Sequence, residues 1–83
     1  MGLFMDVHRN LDGLTAEAAA RAHQADIDIQ ARFGVRYLRY WFSEDEGTVF
    51  CLGEAPSVEA AKRVHEEAHG LVADEIILVR EGM

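Results

Sequence analysis

Four histidines and one cysteine are the side chains of this sequence that could ligate a metal or move a proton near neutral pH, and their neighbours narrow what they could do. His65 and His69 stand four residues apart. On a helix that spacing puts two imidazoles on one face with Cβ atoms about 6 Å apart, a two-histidine clamp. Imidazole nitrogen suits nickel, zinc and copper. The segment offers no third histidine, and no metalloprotease is inferred from it. Asp6 and His8 are two apart in a segment of strand character, so they share one side with Phe4; there they can chelate a cation or form a carboxylate–imidazole pair, or simply face water at a strand end. His23, Asp26 and Gln30, at i, i+3 and i, i+4 spacing, make a polar stripe among Ala19, Ala22, Ile27 and Phe33. They either satisfy one another, line a contact between subunits, or ligate a metal or a small polar molecule. Cys51 lies in an apolar run, where a thiol ordinarily behaves as a small hydrophobe; it becomes a ligand or nucleophile only beside a cavity and a cation. The candidate metal ligands are therefore His65, His69, His8, His23, Asp6, Asp26 and Cys51. No residue is a candidate catalyst: the sequence has no glycine-rich phosphate loop, no nucleophile elbow and no cysteine pair of zinc-finger spacing.

The elements that must position these residues can be read in order. Leu3 to Arg9 has strand character and Asp12-Gly13 breaks it. Thr15 is an N-cap, Glu17 sits in the first turn where the dipole favours an anion, and the alanine-rich run Ala16 to Phe33 predicts a helix closed by Gly34. Its wheel, at about 100° per residue, gathers Glu17, Arg21, Gln24, Asp28 and Arg32 on a solvated side. Val35 to Phe42, aromatic and β-branched, predicts a strand; Ser43 to Gly47 is a polar turn, and Thr48 to Glu54 returns as a hairpin partner. Ser57 caps a second helix ended by Gly70, with Val58, Ala61, Val64 and Ala68 as its core stripe and His65 and His69 at the edge of that stripe. Glu75 to Arg80 is the last strand. The order βαββαβ predicts an α+β, ferredoxin-like fold, an antiparallel sheet with both helices on one face.

Composition supports and restricts this reading. A chain of 83 residues is expected to form a single domain over 1–83, and at 49% hydrophobic content it has enough apolar material for a core. The net charge of −7 repels phosphate backbones and anionic lipid, so neither nucleic acid nor membrane is an expected partner, and it attracts cations. No run approaches the roughly 20 apolar residues of a membrane span. The first residues lack the basic start of a secretory signal and a single cysteine cannot staple its own chain, which together lead us to expect a reducing cytoplasm.

If both helices cover one sheet face, the other should alternate with polar residues. It does not: Val49-Phe50-Cys51-Leu52 and Ile76-Ile77-Leu78-Val79 are apolar on both sides, and Tyr37, Leu38, Tyr40, Trp41 and Phe42 divide between the faces. An exposed apolar face needs a cover, and the simplest is a second copy set face to face, so a homodimer of the dimeric α+β barrel kind is expected.

The segments Phe4-Met5-Asp6-Val7-His8-Arg9-Asn10, Gly13-Leu14-Thr15-Ala16-Glu17, Ala22-His23-Gln24-Ala25-Asp26, Phe50-Cys51-Leu52-Gly53-Glu54-Ala55-Pro56 and His65-Glu66-Glu67-Ala68-His69-Gly70 resemble, in this order and over nearly the whole chain, the small nickel-binding proteins of ferredoxin-like fold, a family first catalogued as a domain of unknown function. The resemblance implies a dimer that binds the divalent metal nickel (Ni²⁺) near its surface, for sequestration or detoxification, with no established catalytic activity; Arg36 to Gly47 matches it less clearly. Zinc or copper would suit the same donors. A second reading of the same architecture is a cofactor-independent small-molecule enzyme or binder, since dimeric α+β barrels include monooxygenases and isomerases. A cavity on the sheet face would then hold Asp6 or His8 as general base and Tyr37, Tyr40 or Trp41 as walls. A third is a regulatory module that binds another protein.

Overall fold

Two caps start the helices. Thr15 and Ser57, both in extended backbone, accept the N–H groups of Ala18 (3.1 Å) and Ala60 (3.2 Å). They open α1 (Ala16–Ile29) and α2 (Val58–Ala68), which alternate with β1 (Gly2–His8), β2 (Arg36–Ser43), β3 (Thr48–Ala55) and β4 (Glu75–Leu78) in the expected order. The structure is a computed structural model and describes residues 1–82. Its sheet runs β2-β3-β1-β4 with every neighbouring pair antiparallel, so the fold is α+β.

Two boundaries differ from expectation. The first helix ends at Ile29, and Gln30–Phe33 tighten into a 3₁₀ turn that closes on Gly34 at φ 70°. The Gln30 side chain leaves the helix surface here to accept the Tyr37 N–H at 2.7 Å, tying the turn to the start of β2. The last strand stops at Leu78, two residues early.

β2 carries a bulge. Tyr37 pairs with Gly53 and Arg39 with Leu52, which leaves Leu38 unmatched. Without that extra residue Tyr37 and Tyr40, an odd number of positions apart, would lie on opposite faces; the bulge turns both toward the helices. Gly53 makes room for the first of them. A Cβ there would come within 2.8 Å of the Tyr37 ring, so the phenol lies flat across bare backbone.

The core joins Phe4, Val35, Tyr37, Cys51 and Ala55 to Ala61 and Val64 of α2, with Ile27, Ile29 and Phe33 packed against it. Both helices therefore cover one face, and the second half of α1 is the half that packs tightly. The other face carries Leu38, Trp41, Phe50 and Ile77, all exposed, in a slab 33 × 31 × 18 Å overall. No helix among the described residues is long and apolar enough to cross a membrane.

Candidate metal centre

α2 turns His65 inward rather than along an edge: the residue is fully buried, among the least exposed in the chain. The wheel had placed it beside the core stripe; burial of that flank against β1 is what the wheel could not show. Each of its ring nitrogens meets a carboxyl group. Nε2 lies 2.6 Å from Asp6 Oδ2 and Nδ1 lies 3.1 Å from Asp26 Oδ1. Burial alone would lower the imidazole's pKa, but the hydrogen bonds to Asp26 and Asp6 overcome it and raise the value to about 9, so the ring is an imidazolium at neutral pH. The Tyr37 hydroxyl donates to the same Asp6 oxygen at 2.6 Å, and its own oxygen lies 3.0 Å from His65 Nε2. Burial, and then Asp6, push that phenol far above its ordinary range, so it remains a donor.

One turn on, His69 reaches the same aspartate: Nε2 is 3.1 Å from Asp26 Oδ1, and Nδ1 accepts the Leu71 N–H at 3.1 Å. Asp26 is thus shared by two histidines. Burial works against its charge, yet the hydrogen bonds from His65 and His69 hold its pKa below the usual carboxylate value. The three residues present one ligand atom each, all within 4.8 Å of one another.

The donor set suits a metal ion, with the Asp26 oxygen 3.1 Å from an imidazole nitrogen on either side. The set spans up to 4.8 Å, so the two imidazoles would have to draw together, because two bonds of about 2.1 Å reach at most about 4.2 Å. His65 would ligate through Nδ1 and keep its Nε2–H on Asp6, the outer carboxylate that a metal-bound histidine usually has. His69 would have to release the Leu71 N–H, because a ring bound through Nε2 carries its proton on Nδ1.

The other expected ligands lie on this same side of the sheet but do not complete the set. His8 meets His65 edge-on, ring centroids 4.8 Å apart. Burial, and then the neighbouring His65, lower its pKa to about 4, so it is neutral at physiological pH. His23 packs against Tyr40 with centroids 4.5 Å apart, and burial lowers its pKa too. It does not bond Asp26, nor does Gln30; that aspartate is occupied by α2 and the glutamine by Tyr37, so the self-satisfied stripe is corrected to a set of bonds between elements. Cys51 is buried, and burial followed by Asp6 pushes its thiol well above the ordinary range, which makes it a small core residue and a poor ligand. Trp41 lies on the opposite face and walls nothing here.

A cavity of about 360 Å³ opens over the cluster, between the first half of α1 and the sheet. Leu14, Ala18, Ala22 and Val49 form apolar walls, and His8, His23, Asp26, Tyr40, His65 and His69 give the polar part. Two features escaped the sequence reading. Tyr37 is a hydrogen-bond donor to the buried acid rather than a cavity wall, and the bulge that turns it inward leaves no mark in the residue pattern. The other is a motif: His65-Glu66-Glu67-Ala68-His69 does have the His-Glu-x-x-His order of helical zinc proteases. Glu66 is exposed and does not line the cavity, so the glutamate such chemistry requires is turned away from the donors.

A family model described as "Nickel responsive protein SCO4226-like" matches residues 4–79. The crystal structure of SCO4226 from Streptomyces coelicolor A3(2) is similar at 43% identity and a TM-score of 0.90, over 98% of this chain and 99% of that one. No curated protein matches this chain.

Proposed function

The chain belongs to the nickel responsive, SCO4226-like family, and from that premise we propose that it binds a divalent metal, nickel first, through Asp26, His65 and His69. The observation that carries the proposal is the sharing of one buried carboxylate by two imidazoles at 3.1 Å each, with Asp6 behind the first. Three protein donors leave further positions of a nickel ion to solvent in the cavity, which suits reversible capture, sequestration or detoxification better than a closed structural site. The donors are mostly buried, so the ion would sit at a cavity mouth rather than on an open surface. The protein works as a homodimer in this reading, in the cytoplasm, with the apolar outer sheet face as its contact.

Metal and proton compete for His65 Nδ1, because an imidazolium cannot ligate. Ni²⁺ affinity should therefore fall as pH drops from about 9, the value to which the Asp26 and Asp6 bonds raise this ring. Calorimetry on chelator-treated protein tests the assignment. His69→Ala, at the least buried donor, should remove one Ni²⁺ per chain or weaken it at least about tenfold, which is about 1.4 kcal/mol. Unchanged stoichiometry and affinity in that variant would place the nickel elsewhere on the molecule. Zn²⁺ and Cu²⁺ titrations then rank the ions.

A further inference from the structure

We propose that the cavity between α1 and the sheet is a binding site for a small, uncharged organic molecule of one or two rings that carries a hydroxyl group, a phenol in its simplest form. This does not depend on metal binding.

The space is a half-open cleft of about 360 Å³, within the range of ligand pockets. The sequence keeps it open. Along α1 the core-packing residues Ile27 and Ile29 belong to the second half, while the first half faces the sheet with Ala18 and Ala22, which are too short to fill the gap. Leu11, Leu14, Val49 and Leu71 add to the apolar walls, so most of an occupant's surface would meet carbon.

The polar groups specify the rest. The His23 Nδ1 atom is buried without a hydrogen-bond partner. His8 is only 6% exposed and lines the same cavity. Buried polar atoms are ordinarily paired; the His8 and His23 rings both line this apolar space, and an unprotonated imidazole carries one N–H donor and one acceptor, which a hydroxyl group can meet in either sense. An anion is disfavoured, since the Asp12 and Asp26 carboxyl groups both line the cavity and the chain carries −7 overall. An organic cation, unlike a metal ion, cannot take the imidazole nitrogens as ligands. It would lose its water against the alanine and leucine walls, where Asp26 is already shared by two histidines and Asp12, the other carboxylate of the lining, is exposed. A neutral ring with a hydroxyl satisfies the walls and the imidazoles together, and Tyr40, tilted against His23, adds aromatic wall.

Methyl-detected NMR on the metal-free wild-type protein in excess chelator tests this with 4-ethylphenol as probe, beside ethylbenzene and 4-ethylbenzoate. Saturable shifts of the Ala18, Ala22 and Val49 methyl signals, with ligand-to-methyl Overhauser contacts, are expected for 4-ethylphenol. Ethylbenzene should bind at least about tenfold more weakly, and the benzoate not at all. Ala22→Leu should abolish binding by filling the space; Ala18→Leu serves the same purpose if the first variant does not fold. Absence of shifts at millimolar 4-ethylphenol, persistence of binding in the filled variants, or equal binding of ethylbenzene overturns the proposal. Because chelator is present throughout, none of these outcomes depends on whether nickel binds.

Discussion

At the scale of single residues, the proton on His65 belongs to the folded state. Its imidazole titrates at 6.5 when unperturbed and at about 9 in the fold, so between those values the native state holds a proton that the unfolded chain has released, and stability must fall as pH rises through that window. His8 acts in the opposite sense. Burial, and then His65, lower it to about 4, so between about 4 and 6.5 the unfolded chain takes up a proton that the native state refuses, and stability must fall as pH drops through that range. The two limbs meet near neutrality. The melting temperature of the metal-free protein should peak between about pH 6 and 7 and decline on both sides; in His65→Gln the alkaline decline should flatten while the acid one remains. A wild-type profile level from pH 6 to 9 would mean that His65 does not hold its proton between the two aspartates.

At the scale of elements, the site depends on the β2 bulge and on the glycine opposite it. Tyr37 reaches Asp6 only because Leu38 is the unmatched residue and because Gly53 has no side chain beneath the ring. Gly53→Ala keeps strand character but drives a methyl to within 2.8 Å of that ring, which is pinned by its bond to Asp6 and cannot swing aside freely. Overpacking of this kind costs about 1–3 kcal/mol. Urea unfolding should show a loss in that range, with a shifted His65 ring signal; a variant as stable as the parent would show that the ring has room to move. The same element marks the boundary of what the residue pattern could tell. Caps at Thr15 and Ser57, glycines at helix ends and the alternation Phe4, Asp6, His8 are local signals, and they led to the right element order and to the side on which the donors gather. What pairs with Asp26 is not local. The helical wheel offered His23 and Gln30, its own neighbours, whereas the fold supplied two histidines from the other helix, 39 and 43 positions along the chain. A bulge shifts strand parity without altering composition, so Tyr37 read as wall rather than donor.

At the scale of the whole molecule, one sheet face is committed to the helices, the core and the cavity, and the other is apolar and uncovered. Trp41 and Phe50 are cross-strand partners on that outer face, 46% and 37% exposed, with Leu38 and Ile77 beside them. Exposed apolar side chains gathered in this way, with Arg39 among them, are characteristic of an interface, and the broad side of a slab 33 × 31 × 18 Å has room for the roughly 800 Å² per partner that a stable dimer buries. Trp41 is the sole tryptophan of the chain, so its fluorescence reports this face alone. In a face-to-face dimer its emission should be blue-shifted at micromolar concentration and move to the red on dilution, in step with a fall in sedimentation coefficient. Phe50→Glu places a charge at the centre of the contact and should give a monomer with red-shifted emission at every concentration. Because the metal donors and the cavity lie across the sheet from this contact, that monomer should still take up Ni²⁺ with the parent's stoichiometry per chain. Loss of nickel binding together with the dimer would mean that the ion is held between subunits, and the assignment to Asp26, His65 and His69 would have to be abandoned. A wild-type chain that sediments as a 9.3 kDa particle at micromolar concentration would instead leave the metal centre intact and remove the dimer.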